Sequence, residues 1–285
     1  MVTAGDVRCS AASLDDAEPM AGTAPTDREW LFVEHGGSWG RQAVAESRLP
    51  EEVRTHLASW PGRVQLVRRH GREPAPGAGV RVFTASLGST PVVRHGVLDR
   101  VEDLLTLDAG DLAPYDGPLW LVCTNGRRDR CCAEIGRPVT AALAARWPSA
   151  TWETTHLGGH RFSGTLLALP SGLTLGRLDA TTAVAACEEV AAGRVPALVT
   201  RGRAGLDGAA QVAELHLRTA YGLTDVSVLG HEAETVELLA DGERWEVTLT
   251  VTPGEPRSQS CGDLKLKPVP VFAVTGAGVR PPRAG

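Results

Sequence analysis

Four residues near the middle of the chain, Cys123, Cys132, His156 and His160, are of types that bind transition metals, and they fall into two spaced pairs. The cysteines enclose a loop running from Thr124 to Cys131, and the histidines enclose Leu157, Gly158 and Gly159. Two thiolates and two imidazoles suit a zinc ion, and they equally suit a 2Fe–2S centre with histidines on one iron. Zinc fingers ordinarily space their cysteines by about two to four residues, whereas a longer loop suits wrapping a dinuclear group. The histidine pair is not a metalloprotease helix, because its intervening residues lack a glutamate base and include two helix breakers. Gly158 and Gly159 beside a cluster would instead let backbone N–H groups approach bridging sulfides.

Cys131, directly beside Cys132, is the alternative ligand; failing that, it is a neighbouring, oxidation-sensitive thiol. The eight-residue gap favours Cys132. Arg127, Arg128, Arg130 and Arg161 form a positive collar around the two motifs, read either as ordinary loop solvation or as a docking face for an acidic redox partner. Of the remaining cysteines, Cys187 reads as a small buried hydrophobe, and Cys9 and Cys261 have no partner near in sequence. Cys261 sits in the turn Ser260-Cys261-Gly262. No Cys-x-x-Cys occurs, which argues against a thiol–disulfide oxidoreductase. Gly36-Gly-Ser38-Trp-Gly40 has the spacing of a nucleophile elbow, but too little chain precedes it for the strands such a fold places first.

The elements that must position these residues follow from periodicity. Leu119–Cys123 is a short apolar run, read as a buried strand; Cys132–Trp147 is Ala-rich and helical; Ala150–Thr155 is a strand. Leu166–Leu169 and Leu173–Arg177 make a hairpin about Pro170-Ser-Gly172, and Thr181–Ala192 is a helix stopped by Gly193. Strand, helix, strand, hairpin, helix is the order of a thioredoxin-like domain, assigned to residues 111–194. Both ligand pairs then lie just past strand ends, which point the same way at one edge of a sheet. Residues 29–110 repeat much of that order, with strands at 30–35, 64–69, 80–85 and 91–94 and helices at 51–60 and 97–107, and so read as a degenerate copy. Residues 195–285 read as a helix at 207–221 followed by a β-rich extension, with Ala240-Asp-Gly-Glu243 as a hairpin turn. The expected fold class is therefore α/β.

Composition narrows the function. Residues 1–28 mix small, acidic and Pro residues, and the last five read Pro-Pro-Arg-Ala-Gly, so both ends are expected to be loose. A net charge of −5 argues against nucleic-acid binding. No apolar run is long enough for a membrane span, and acidic residues interrupt any secretory-signal pattern, so a cytoplasmic protein is expected. Six cysteines in such a chain favour metal or redox roles over a disulfide framework.

The stretch Gly126-Arg-Arg-Asp-Arg-Cys-Cys-Ala133, followed by Trp152-Glu-Thr-Thr-His-Leu-Gly-Gly-His-Arg-Phe162 and Leu169-Pro-Ser-Gly172, resembles the sucrase/ferredoxin-like family. Glu18–Ala24, Trp39-Gly40 and Ser260-Cys-Gly262 extend the likeness over nearly the whole chain. The resemblance implies a thioredoxin-like ferredoxin fold and a 2Fe–2S cluster held by two cysteines and the two histidines of a His-x-Gly-Gly-His motif, which fall here on Cys123, Cys132, His156 and His160. It implies an electron carrier or redox sensor served by a separate redox partner or reductase, without a substrate of its own. The "sucrase" of the label has no support from paired carboxylates. Zinc in a structural or interaction module is the alternative cofactor. Histidine ligation also implies a raised potential and one-electron transfer coupled to protonation of His156 or His160.

Overall fold

The structure, a computed structural model, describes residues 8–71, 77–263 and 265–280. Helix α1 (Cys9–Asp15) leads into β1 (Glu29–Glu34), α2 (Glu51–Ala58), β2 (Arg63–Arg68), β3 (Val80–Ser86), β4 (Val92–Leu98) and the two-residue β5 (Ala113–Pro114). Next come β6 (Leu119–Cys123), α3 (Arg130–Arg146), β7 (Thr151–Thr154), β8 (Leu166–Leu169), β9 (Leu173–Leu175), α4 (Thr182–Ala191) and β10 (Thr200–Arg203). The last stretch holds α5 (Gly208–Ala220), β11 (Val226–Glu232), β12 (Thr235–Ala240), β13 (Glu243–Pro253), the short β14 (Arg257–Ser258) and β15 (Leu266–Lys267), and β16 (Pro270–Val279).

Strands β1 to β10 form one mixed sheet, in the order β10-β9-β8-β6-β7-β2-β1-β3-β4-β5. The same connectivity occurs twice in it. In the first half β1 pairs parallel with β2 and antiparallel with β3, and β3 pairs antiparallel with β4. In the second half β6 stands in the same relation to β7 and β8, and β8 to β9. The halves join where β2 and β7 run antiparallel, with Val67 opposite Thr154 and Arg68 opposite Glu153.

Side-chain alternation along the strands sorts residues between layers. Leu31 and Val33 pack under α2 with Val53 and Leu57, while Trp120 and Val122 pack with Val139 and Leu143 of α3 and Cys187 of α4. The opposite faces meet in one shared core, Trp30 and Phe32 from the first half with Leu119, Leu121 and Trp152 from the second. A sheet whose two halves enclose the same core is curled around it. The C-terminal sheet, ordered β11-β12-β13-β16, is antiparallel and buries Val236, Leu238 and Val247 against Leu217 of α5. The α/β class and the β-rich extension are thus present, and Asp241 and Gly242, both at positive φ, form the expected β12–β13 turn.

Two expectations need correction. The helix expected over 97–107 is absent: β4 pairs with β3 as far as Leu98, and only Val101–Thr106 winds, as a 3-10 turn. The loose ends expected at residues 1–7 and 281–285 lie outside the described residues, but residues 8–28 are packed. Cys9, Met20 and Ala24 are buried, and Glu18 is buried against Arg161 at 2.7 Å. Composition hid this because the segment is held by scattered contacts and not by a periodic apolar face.

The seam between the halves carries a buried charge. Glu153 accepts hydrogen bonds from Arg68 at 2.8 and 2.9 Å and from Thr124 at 2.9 Å, and meets His70 Nδ1 at 2.8 Å. Burial pushes its carboxyl up, and the bonds from His70, Arg68 and Thr124 outweigh this, leaving it below the ordinary 4.5. A depressed folded pKa stabilises the fold above the unfolded value, and that contribution is lost as pH falls through the folded one. Glu153→Gln is therefore expected to cost about 2–3 kcal/mol at pH 7, measured by urea unfolding, with the gap from wild type closing below the ordinary carboxylate range. A gap that does not change with pH would contradict this.

Candidate metal centre

Strands β6 and β7 run parallel and in register, Trp120 opposite Thr151 and Cys123 opposite Thr154. The chain therefore leaves both at the same sheet edge. After Cys123 it turns through Thr124–Arg128 and enters α3, whose first turn contains Cys131 and Cys132. Asp129 caps that helix by accepting the Cys131 N–H at 2.9 Å. Gly136 lets α3 settle on the strand end, since a Cβ there would lie 2.1 Å from the Cys123 carbonyl oxygen. After β7 the chain passes through His156, Leu157, Gly158 and Gly159 to His160.

The donor atoms of Cys123, Cys132 and His156 lie within 4.8 Å of one another, in a set able to chelate a metal ion. His160 lies outside this set and stands next to it, its Nδ1 3.3 Å from His156 Nε2. The outward nitrogens, His156 Nδ1 and His160 Nε2, are buried and have no hydrogen-bond partner. Both cysteines and His160 are buried, and His156 is half-buried.

Local electrostatics favour the ligating forms of Cys123 and His160 but not of Cys132. The Cys132 thiol donates to Cys123, and His156 and the Leu157 N–H add to this, holding the Cys123 thiol well below its ordinary range; Cys132 is correspondingly held up. Burial, with His156 adjacent, lowers His160 to about 4, so its ring is neutral near pH 7, the form that binds metals.

The His156–His160 loop is gripped from elements remote in sequence. Arg63 and Gln65 of β2 donate to the His156 carbonyl at 2.6 and 3.2 Å. Arg201 of β10 donates to the Gly158 carbonyl at 3.0 Å and to Thr23 Oγ1 at 3.1 Å. Arg201 is fully buried, and burial first, then Arg161 and Arg63, lowers its guanidinium to about 9. Sequence reasoning missed Arg63, Gln65 and Arg201; only the strand pairing reveals them.

The other residues singled out fall as follows. Cys131 lies away from Cys123, with its Sγ 3.7 Å from Cys9 and 3.4 Å from Cys261. Arg161 does not belong to an exposed collar, because it is buried against Glu18 and lies over the Phe162 ring. Arg130 is exposed and pairs with Glu134 at 3.3 Å. Gly158 and Gly159 have φ of +93° and +66°, a left-handed turn that brings the two rings together. Cys187 is buried, as expected. Ser38 is exposed and the next helix, α2, begins only at Glu51, so the strand–turn–helix context of an elbow is missing. A cleft of about 650 Å³, lined by Arg41, Arg54, Gln65, Asn125 and Arg128, opens onto His156.

The family model described as sucrase/ferredoxin-like matches residues 20–202, more than half the chain. No curated protein and no solved structure matches.

The glycine turn yields a test. A Cβ at Gly159 would stand 2.5 Å from the Arg201 guanidinium, which its hydrogen bonds hold in place, whereas at Gly193 (φ +75°) it would meet nothing. Gly193→Ala should cost about 1 kcal/mol of backbone strain and Gly159→Ala about 2 kcal/mol or more in chemical unfolding. Equal losses would mean that Arg201 does not fix the loop.

Proposed function

We propose, from the premise that this chain belongs to the sucrase/ferredoxin-like family, that Cys123, Cys132, His156 and His160 hold a 2Fe–2S cluster and that the protein passes single electrons as a carrier or redox sensor. The observation that carries this reading is the convergence of a buried thiol pair and an imidazole pair, nitrogens 3.3 Å apart, at one sheet edge. Two buried thiols with an imidazole nitrogen within 4.8 Å, and surroundings that lower the Cys123 thiol, fit a soft metal centre. The cluster would supply one-electron chemistry, with imidazoles in place of thiolates raising its potential.

The chain's own residues do the rest. The neighbours of Cys123 favour loss of its proton, and the neutral His160 ring offers a lone pair without first losing one. Arg63, Gln65 and Arg201 fix the histidine loop, and Arg201 places a buried positive charge whose favourable neighbour is Cys123. His156, half-buried at the cleft, marks the side on which a separate redox partner or reductase would approach. The repeated connectivity of the sheet supports reading residues 111–194 as a thioredoxin-like unit and 29–110 as its degenerate copy. No helix among the described residues is long and apolar enough to cross a membrane.

A second reading keeps zinc on the same ligands, because donors within 4.8 Å of one another also fit a single ion. Anaerobically purified protein should be red-brown, bleach with dithionite and release acid-labile sulfide. His156→Cys and His160→Cys should retain the cluster at a lower potential. Where a histidine proton is coupled, the midpoint should fall by about 59 mV per pH unit over part of the range. A colourless, sulfide-free preparation with stoichiometric zinc that resists the double substitution Cys9→Ser/Cys261→Ser would overturn the iron–sulfur reading.

A further inference from the structure

Three cysteines that the cluster reading leaves unused meet at one point. Cys9 comes from the first turn of α1, Cys131 from the first turn of α3 and Cys261 from the segment between β14 and β15. Their sulfurs form a nearly equilateral triangle, 3.7 Å from Cys9 to Cys131, 3.4 Å from Cys131 to Cys261 and 3.6 Å from Cys261 to Cys9. These are too long for disulfides, whose sulfurs stand about 2.05 Å apart, and all three thiols are free. They are close to the roughly 3.8 Å edge of a tetrahedron drawn by four sulfurs at about 2.3 Å from a zinc ion.

A carboxylate completes the group. Asp129, 4% exposed, lies with one oxygen 3.2 Å from Cys261 Sγ and both oxygens 3.7 Å from Cys9 Sγ. It is fixed by accepting the Cys131 N–H at 2.9 Å and the Cys261 N–H at 2.8 Å. Donors also surround the sulfurs: Ser10 Oγ stands 3.2 Å from Cys131 Sγ, and the Cys9 N–H points at Cys261 Sγ from 3.5 Å. Fixed ligands with hydrogen bonds behind them are what a metal site requires of its surroundings.

We propose that Cys9, Cys131, Cys261 and Asp129 form a second metal site, separate from the Cys123–His156 centre, that takes one thiophilic divalent cation of the zinc class. Three thiolates and one carboxylate make a closed tetrahedral set, the form of structural sites. Each thiol still protonated gives its proton to solvent as the ion binds. The adjacent cysteines 131 and 132 then serve different metals: successive residues of a helix project about 100° apart, which separates their sulfurs between the two groups. The ion ties an N-terminal helix and a C-terminal segment to the helix that presents Cys132.

The full chain, purified without chelator, is to be assayed for zinc, iron and acid-labile sulfide. About one zinc per chain is expected, falling at least tenfold in Cys9→Ser and Cys261→Ser with iron and sulfide unchanged. Cys123→Ser/Cys132→Ser should show the opposite, zinc kept and iron lost. Asp129→Asn, which still caps α3, should weaken zinc retention against a competing chelator. On wild type alone, added Zn(II) should protect Cys9, Cys131 and Cys261 from alkylation, read by peptide mass spectrometry. Zinc lost with Cys123 and Cys132 but kept without Cys261, equal alkylation with and without Zn(II), or a disulfide within the trio would each overturn the proposal. Absence of iron and sulfide would bear only on the first site.

Discussion

The parallel pairing of β6 with β7 is the constraint on which the rest of this structure depends. Parallel neighbours end at the same edge, so the loops that follow must share space there. One loop is closed by α3, drawn onto the strand end at Gly136 and capped by Asp129. The other is closed by a left-handed glycine turn. The result is a buried thiol pair facing an imidazole pair, built from backbone geometry before any metal is considered.

The surroundings explain why the chain outside this unit is needed. The side chains that grip the His156 and Gly158 carbonyls come from elsewhere, from β2 of the first half and β10 beyond the second. The first half therefore works as a wall: its β2 holds His156, and its Trp30 and Phe32 fill the shared core beneath Cys123 and Cys132. The packed segment 8–28 brings Glu18 to neutralise Arg161 and Thr23 to engage Arg201, so positive charge near the site is fixed inside the protein. Asp129 stands between the two sulfur groups. Its carboxylate faces Cys9 and Cys261, and one of its oxygens lies 3.9 Å from His160 Nε2.

Much of this was legible in sequence, for identifiable reasons. Strands such as Leu119–Cys123 are short unbroken apolar runs, and α3 is Ala-rich, so their positions could be read locally. The pairing of cysteines and histidines at strand ends followed from connectivity. What could not be read depends on contacts across long stretches of chain. Cys9 and Cys261 lie 252 residues apart and have no local pattern. Arg63 and Arg201 look like ordinary strand arginines until β2 and β10 are seen flanking the same loop. The collar reading failed at Arg161 because its partner, Glu18, sits in a segment whose composition resembles loose chain.

The central claim is that histidines and cysteines share one cluster, and nitrogen coupling tests it most directly. The reduced protein, grown with 15N-histidine, should give a pulsed-EPR spectrum with two strongly coupled 15N nuclei, and His156→Cys and His160→Cys should each remove one. A reduced cluster without coupled histidine nitrogens, or one unaltered by both substitutions, would contradict the account.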